Sequence, residues 1–219
     1  ILNIQEASSS FLFFPIFKKQ VIIPGITVKS AVIFLERRKD NTLNIMDLFA
    51  PKQAARKARF NILIQKIKII NSRIDFQDDT VDPVFSKSLE NLNLTLYLSL
   101  PASVKFDLKA EIKETPAIKI QATGEFKILQ QRLTAQIGLK NFSLPGFAAY
   151  YGATGLSFRG GLVDANAGLV FDGGVIKADI TALGQGLEIA RDKIISMLNL
   201  DTRATIKYGL EDNNFQYSG

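Results

Sequence analysis

The side chains that most often perform chemistry in enzymes are missing from this chain. Its 219 residues include no cysteine and no histidine. Disulfides, the common zinc sites, serine–histidine triads and histidine general bases are therefore excluded within the chain. Carboxylates and lysines remain, but the sequence identifies no pair of carboxylates with the character of a catalytic pair. We predict that the protein is not an enzyme and holds no cofactor.

Two short motifs have both a functional and a structural interpretation. Asp75, Asp78, Asp79 and Asp82 could in principle hold calcium, but they lack the spacing and the bidentate glutamate of an EF-hand. An ordinary polar turn is the favoured interpretation. Gly184-Gln185-Gly186 lacks the third glycine and the parallel-strand unit of a nucleotide-binding loop. We predict no metal site and no nucleotide site.

The elements that would position any site are long strands with two-residue alternation. From Val104 to Lys113 apolar residues alternate with charged residues without a break. Because successive side chains on a strand point to opposite faces, Val104, Phe106 and Leu108 share one side, and lysines and acids occupy the other. The same alternation recurs in Leu92–Leu100, Ile118–Ile128, Leu133–Leu139, Val175–Ala182 and Ala204–Leu210.

Short turns between such strands favour an antiparallel meander. The predicted fold is all-β: a long antiparallel meander that forms a curved, groove-like sheet with one or two short helices. A bulge near Gln65-Lys66 would bring Ile62 and Ile64 onto the face of Ile67 and Ile69. Turns are expected at Pro24-Gly25, Gln77–Pro83, Pro101-Ala102, Glu114–Pro116, Gln130-Gln131 and Asp172–Gly174. Short helical segments are expected at Met46–Phe49, Pro51–Ala58 (a linker or helix), Leu144–Thr154 and Ala190–Leu198.

The net charge is +6, and one stretch is strongly basic. No acidic residue lies between Asp47 and Asp75. The stretch is either a solvated surface or a contact with anionic lipid headgroups. Nucleic acid is not predicted as a partner, since no aromatic residues alternate with these charges. The headgroup candidates are Lys52, Arg56, Lys57 and Arg59.

No apolar run approaches the length of about 18–20 residues that spans a bilayer. The chain begins at Ile1 and not at Met. We therefore expect an internal piece of a longer protein, with any anchor or export signal outside it.

The apolar side of the strands has two interpretations. It could be the core of a β-sandwich or barrel. It could instead be an open, curved surface that accommodates acyl chains. The strands are long, the connections are short, and the apolar positions are mostly Ile, Leu, Val and Phe, with no Trp in the chain. These features favour the open groove.

Three segments together resemble the AsmA-like superfamily of bacterial envelope proteins, which includes TamB-type and YdbH-type members. Leu35–Phe49 (LERRKDNTLNIMDLF) resembles the strand, turn and "x-LN-x-x-L" step of an AsmA-like module. Ile70–Leu96 resembles its "I-x-F-x-D … P-F … L-x-x-L" element, and Phe142–Gly174 resembles its "L-P … Y … G-x-L" insertion. Asn41 replaces the usual turn glycine, and asparagine tolerates the same left-handed backbone.

The resemblance implies residues 1–58 as the N-terminal strands and linker of a module, and residues 59–219 as the continuation of a β-groove. It further implies a periplasmic location, as part of an inner-membrane-anchored bridge-like lipid transfer protein that moves phospholipid between the inner and outer membranes. The expected partners are phospholipid acyl chains, with the membrane surface or envelope proteins as further candidates. The alternative is a structural scaffold within an envelope-spanning complex.

A sliding acyl chain requires a continuous apolar surface and no specific pocket. Leaving a sixteen-carbon chain in water costs roughly 12 kcal/mol, at about 0.8 kcal/mol per methylene. The predicted lipid-binding residues are the apolar positions of the central strands: Phe106, Leu108, Ile112, Ile118, Ile120, Phe126, Ile128, Leu133, Ile137, Ile176 and Ile180.

Overall fold

A computed structural model describes residues 2–12, 20–45, 61–99, 101–191, 194–209 and 214–218. The predictions at Met46–Phe49 and Pro51–Ala58 lie outside these residues. The strands are β1 (Leu2–Asn3), β2 (Glu6–Leu12), β3 (Gln20–Lys29), β4 (Val32–Arg37), β5 (Asn61–Ile64), β6 (Lys66–Asp78), β7 (Phe85–Ser99), β8 (Ser103–Ile112), β9 (Ile118–Lys127), β10 (Arg132–Phe142), β11 (Leu156–Asp172), β12 (Val175–Arg191), β13 (Ile194–Gly209) and β14 (Asn214–Ser218).

All fourteen strands belong to one open, curled sheet. From β6 to β14 each strand pairs antiparallel with the next, and five of these pairs are joined at the turns that the sequence predicts at Gln77–Pro83, Pro101-Ala102, Glu114–Pro116, Gln130-Gln131 and Asp172–Gly174. The predicted all-β, curved meander is therefore confirmed. The one α-helix among the described residues, α1 (Ala148–Tyr151), has four residues, and no helix there is long and apolar enough to cross a bilayer.

The first strands add a feature that the sequence does not predict. β3 and β4 lie end to end, and both run parallel to the row formed by β5 and β6. The offset is 41 residues at both ends of this row, since Ile26 faces Ile67 and Val32 faces Arg73. Parallel pairing requires a long crossover, and the connection between β4 and β5 has that length.

Three local predictions are wrong. Pro24-Gly25 makes no turn, because β3 continues through both residues. Beside them lies Gln65, the break between β5 and β6, whose amide donates to the Ile23 carbonyl at 3.0 Å. No bulge near Gln65 restores the faces, since the register with β3 is the same on both sides, and Ile62 is left 66% exposed. The helix predicted at Ala190–Leu198 is wrong for its described residues: Ala190 belongs to β12 and Ile194–Leu198 to β13, which pair with each other, and alternation places Met197 at the surface.

Irregularities at one level of the sheet, most of them β-bulges, form a line that skips β8 and β9. Six residues on this bulge line adopt a positive φ, which lets the strands that carry them bend at the same level. Asparagine and glycine predominate there because they tolerate this backbone best. The six are Ser30 (51°), Asn71 (47°), Asn91 (51°), Asn141 (57°), Gly161 (93°) and Gly186 (58°).

Polar side chains on the bulge line accept the amide hydrogens that the bulges release from the ladder. The Ala31 amide donates to Ser72 Oγ at 3.0 Å, and the Asn71 amide donates to Asn93 Oδ1 at 3.2 Å. The Asn141 amide donates to Asp164 Oδ1, and the Gly186 amide donates to Asn199 Oδ1, both at 2.8 Å. The bend is therefore a satisfied part of the fold.

The core is small for a chain of this size. Among the described residues the buried hydrophobic positions are Ala31, Phe85, Leu92, Ala110, Ile112, Ile118, Ala135, Leu187 and Ala190. The accessible surface is 15276 Å², whereas a compact protein of this mass exposes about 10,000 Å². An excess of this kind is expected for a single sheet without a second layer.

The close approach of β9 and β10 gives a stability prediction. A Cβ added to Gly124 would lie 2.4 Å from the Thr134 carbonyl oxygen and 2.6 Å from Phe106 Cζ. At Gly138, on β10, the nearest atom would be Asn166 Oδ1 at 3.4 Å. Gly124→Ala is therefore expected to lower the free energy of unfolding by about 1–3 kcal/mol, as overpacking does. Gly138→Ala should be neutral or slightly stabilising, and urea denaturation of both variants checks this. Equal stability of the two would contradict the packing.

Candidate functional site

The ladder registers align the apolar side chains of β7 to β12 into continuous lanes that run across the strands. One lane, for example, faces Leu108 to Ala122, Ala122 to Ile137, Ile137 to Ala167 and Ala167 to Ile180. No polar residue interrupts these lanes. We call this surface the apolar face: Leu94, Leu96 and Leu98; Val104, Phe106, Leu108, Ala110 and Ile112; Ile118, Ile120, Ala122, Gly124 and Phe126; Leu133, Ala135, Ile137 and Leu139; Ala165, Ala167, Leu169 and Phe171; Ile176, Ala178, Ile180 and Ala182.

The structure brings ten of the eleven predicted lipid-binding residues together on this face. Ile118 and Ile112 are buried at the end next to the bulge line, and Ile137, in the middle, is 38% exposed. Ile128 is the exception, because it lies in the turn after β9, where its amide donates to the Ala102 carbonyl at 3.0 Å. The headgroup candidates Lys52, Arg56, Lys57 and Arg59 lie outside the described residues. The remaining seven are half-buried: Phe106, Leu108, Ile120, Phe126, Leu133, Ile176 and Ile180.

Within the described ranges no second sheet covers the apolar face. All the described strands belong to one open, curled sheet, so none of them forms a separate covering layer. The face spans four lanes about 6.8 Å apart and six strands about 4.8 Å apart. It therefore presents roughly 20 by 24 Å of apolar surface, at the upper end of what a soluble monomer exposes.

A helical insertion, Leu144–Thr154, covers one end of the apolar face beyond the bulge line. It consists of α1 between two 3₁₀ turns, as predicted for this segment. Phe85 lies on the side of β7 that continues the apolar face, since Leu89 faces Ile112. The ring of Phe85 lies 5.3 Å from that of Phe147 and 4.9 Å from that of Tyr150. Each such pair contributes about 0.5–1.5 kcal/mol beyond area burial.

A buried carboxylate holds the insertion to β6. Asp78 is only 1% exposed, and the Tyr150 hydroxyl donates to its Oδ2 at 2.9 Å. The Thr80 amide donates to Oδ1 at 2.9 Å, and Arg37 Nη1 lies 3.4 Å from Oδ2. Burial and the hydrogen bond to Asp78 raise the pKa of Tyr150 to about 12. The sequence places Asp78 in a polar turn but gives no sign of its pairing with a residue 72 positions later.

A second polar contact lies beside the first. Lys87 forms a half-buried ion pair with Glu114, from the turn between β8 and β9. A Cβ on Gly146 of the insertion would lie 2.7 Å from Glu114 Oε1 and 3.1 Å from Lys87 Nζ. The backbone at Gly146 therefore rests directly on this pair. Lys87 Nζ also lies 5.7 Å from the Phe147 ring centroid, within cation–π range.

The carboxylates of β6 should make the stability of the fold sensitive to acid. Burial alone would raise the pKa of Asp78, but the hydrogen bonds from Thr80 and Tyr150 and the charge of Arg37 outweigh it and hold the pKa below its ordinary value. A hydrogen bond from Ser88 likewise lowers the pKa of Asp75. A depressed carboxyl pKa contributes stability that is complete above the unfolded value of about 3.9 and is lost as pH falls through the folded value.

The free energy of unfolding is therefore expected to decrease as the pH falls below about 4. Urea denaturation at a series of pH values measures it, and Asp78→Asn should reduce the slope. A wild-type stability that is the same at pH 5 and pH 3 would contradict the role of these carboxylates.

The polar face carries a hollow of about 460 Å³ between β9 and β13. Its charged lining includes Lys119, Lys140, Asp164 and Asp201, two of each sign. These charges balance, and no set of three potential metal ligands occurs in the part of the chain that the structure describes. Three of the four aspartates considered for calcium accept hydrogen bonds from different side chains: Asp75 from Ser88, Asp78 from Tyr150 and Asp79 from Gln77.

Comparison with family models, curated proteins and solved structures finds no match to this chain. The functional interpretation therefore rests on its residues and their geometry.

Proposed function

We propose that the apolar face binds the acyl chains of phospholipids and that the chain is a lipid-carrying segment of a periplasmic envelope protein of AsmA-like type. The observation that carries the proposal is the uninterrupted set of apolar lanes from β7 to β12. The described residues form no layer that covers these lanes. Exposed apolar patches of this size often mark a binding site, which supports the proposal.

The energetics suit a conduit. An acyl chain lying against one open face buries about half of its surface, so a sixteen-carbon chain gains roughly 6 kcal/mol. The freedom lost on association offsets most of this gain. The affinity of the open face for one acyl chain is therefore low, which allows a chain to move from lane to lane. Because the side chains along the face are all apolar, such as Ala, Leu, Ile and Phe, no single position binds the acyl chain much more tightly than its neighbours.

The location follows from the same proposal. An inner-membrane anchor elsewhere in the protein would hold the segment in the periplasm, where its acyl-binding surface would carry phospholipid between the two membranes. Catalysis has no part in this function, since lipid transfer along an apolar surface breaks no covalent bond.

Native mass spectrometry and lipid extraction of the purified chain test the proposal. Phospholipid that co-purifies and survives size-exclusion chromatography would support it. A lipid-free protein that also takes up no added phospholipid would overturn it. A stable complex with another envelope protein, seated on the apolar face in place of lipid, would favour the scaffold alternative.

A further inference from the structure

The helical insertion lies on the same side of the sheet as the apolar face, where a bound acyl chain would lie. On one flank Phe147 and Tyr150 contact Phe85 of β7, and on the other the Tyr151 ring lies 5.0 Å from Phe158 of β11. The insertion therefore bridges the space between β7 and β11, beyond the ends of β8 and β9. The last lane of the apolar face, formed by the paired Ile112 and Ile118, lies at this end of the sheet.

The insertion buries little of its own surface. None of its 3₁₀ and α-helical residues is buried. A four-residue helix has no stability of its own, and Gly155 ends the insertion in a left-handed conformation, with φ of 75°. Elements with little buried surface open at a lower free energy than the sheet that carries them.

One hydrogen bond stands out among the contacts that keep the insertion in place. Tyr150 is 46% exposed, yet its hydroxyl donates to Asp78, a carboxylate buried in β6. Hydrogen bonds to charged acceptors are roughly twice as strong as neutral ones. The neighbouring Tyr151 hydroxyl donates to the Leu144 carbonyl within the insertion at 3.0 Å and accepts a hydrogen bond from the Phe158 backbone of β11. Tyr150 therefore holds the insertion to β6, and Tyr151 holds it to β11.

We propose that the helical insertion is a gate over the end of the apolar face and that the hydrogen bond from Tyr150 to Asp78 is its latch. Opening the gate exposes the last lane of the face, at Ile112 and Ile118, and lets a phospholipid acyl chain enter or leave there. This inference rests on the proposed function, because it assigns regulated access to the same surface. Aromatic contacts to Phe85 supply the apolar part of the closed state.

Two variants separate the latch from general loosening. Tyr150→Phe removes the hydroxyl but retains the ring against Phe85, and Tyr97→Phe, which removes an exposed hydroxyl on β7 away from the insertion, is the control. Hydrogen exchange of the lipid-free protein, followed by mass spectrometry, should show exchange in 144–154 about tenfold faster in Tyr150→Phe than in wild type. Tyr97→Phe should change it little. The association rate of a fluorescent phosphatidylglycerol should rise in Tyr150→Phe alone.

Each outcome tests a different part of the proposal. Unchanged exchange in Tyr150→Phe would overturn the latch. Faster exchange with an unchanged lipid association rate would overturn the role of the insertion in access. Failure of all three proteins to bind phosphatidylglycerol would overturn the proposed function and with it the access role, and the exchange data would show separately whether the latch exists.

Discussion

Ile118→Ala is expected to lower the free energy of unfolding by about 3 kcal/mol, whereas Ile137→Ala should cost about 1 kcal/mol or less. Both residues belong to the apolar face, on adjacent strands. Ile118 is fully buried next to the bulge line, and Ile137 is 38% exposed in the middle of the face. For a protein of this length the first change corresponds to a decrease of roughly 6–12 °C in the melting temperature.

The two substitutions remove the same atoms and lose the same strand propensity, so their difference reports burial alone. Urea denaturation monitored by circular dichroism measures both. Equal losses of about 3 kcal/mol would mean that a second layer covers Ile137, and the open face would be wrong. Equal small losses would mean that the bulge line is not packed as the structure has it.

Ile137→Asp is expected to weaken phospholipid binding at least tenfold, which corresponds to about 1.4 kcal/mol. Ile137 lies between Ala122 and Ala167, so an acyl chain that follows this lane must pass over it. A carboxylate there would lose water beneath the chain without gaining a partner. Because Ile137 is already partly exposed, the charge should be tolerated by the lipid-free fold.

Gln136→Asp is the matched control. Gln136 precedes Ile137 on β10, points to the polar face and is exposed, so the same charge one residue away should leave binding unchanged. Titration of a fluorescent phosphatidylglycerol into each variant gives the affinities, with circular dichroism to verify the fold. Equal weakening by the two substitutions would argue against an acyl chain on the apolar face.

Alternation predicts the apolar face well, because a two-residue period has only one outcome on a paired strand. Phe106, Ile120 and Ile180 are far apart in sequence, yet the ladder brings their faces together as expected. The pattern also predicts the turns of the central meander. It does not predict that β12 and β13 continue through Ala190–Leu198, because a short apolar run fits a helix and a strand equally well.

Other features depend on pairings that no local pattern encodes. The parallel row formed by β3 and β4 with β5 and β6 depends on a long crossover, and Pro24 is accepted in β3 because the neighbouring row breaks there. The bond from Tyr150 to Asp78 joins residues 72 positions apart. The bulge line could have been anticipated in part, since Asn71, Asn91 and Asn141 interrupt apolar strands.

A polarity-sensitive fluorophore on the apolar face gives the most direct test of the central claim, that this face is open and receives acyl chains. The chain contains no cysteine, so Ile137→Cys and Gln136→Cys each provide a single labelling site. On titration with a short-chain phosphatidylglycerol below its micelle concentration, the emission at position 137 should shift to the blue and saturate, while that at 136 stays constant. No shift at 137 in the folded protein, or equal shifts at both positions, would contradict the claim.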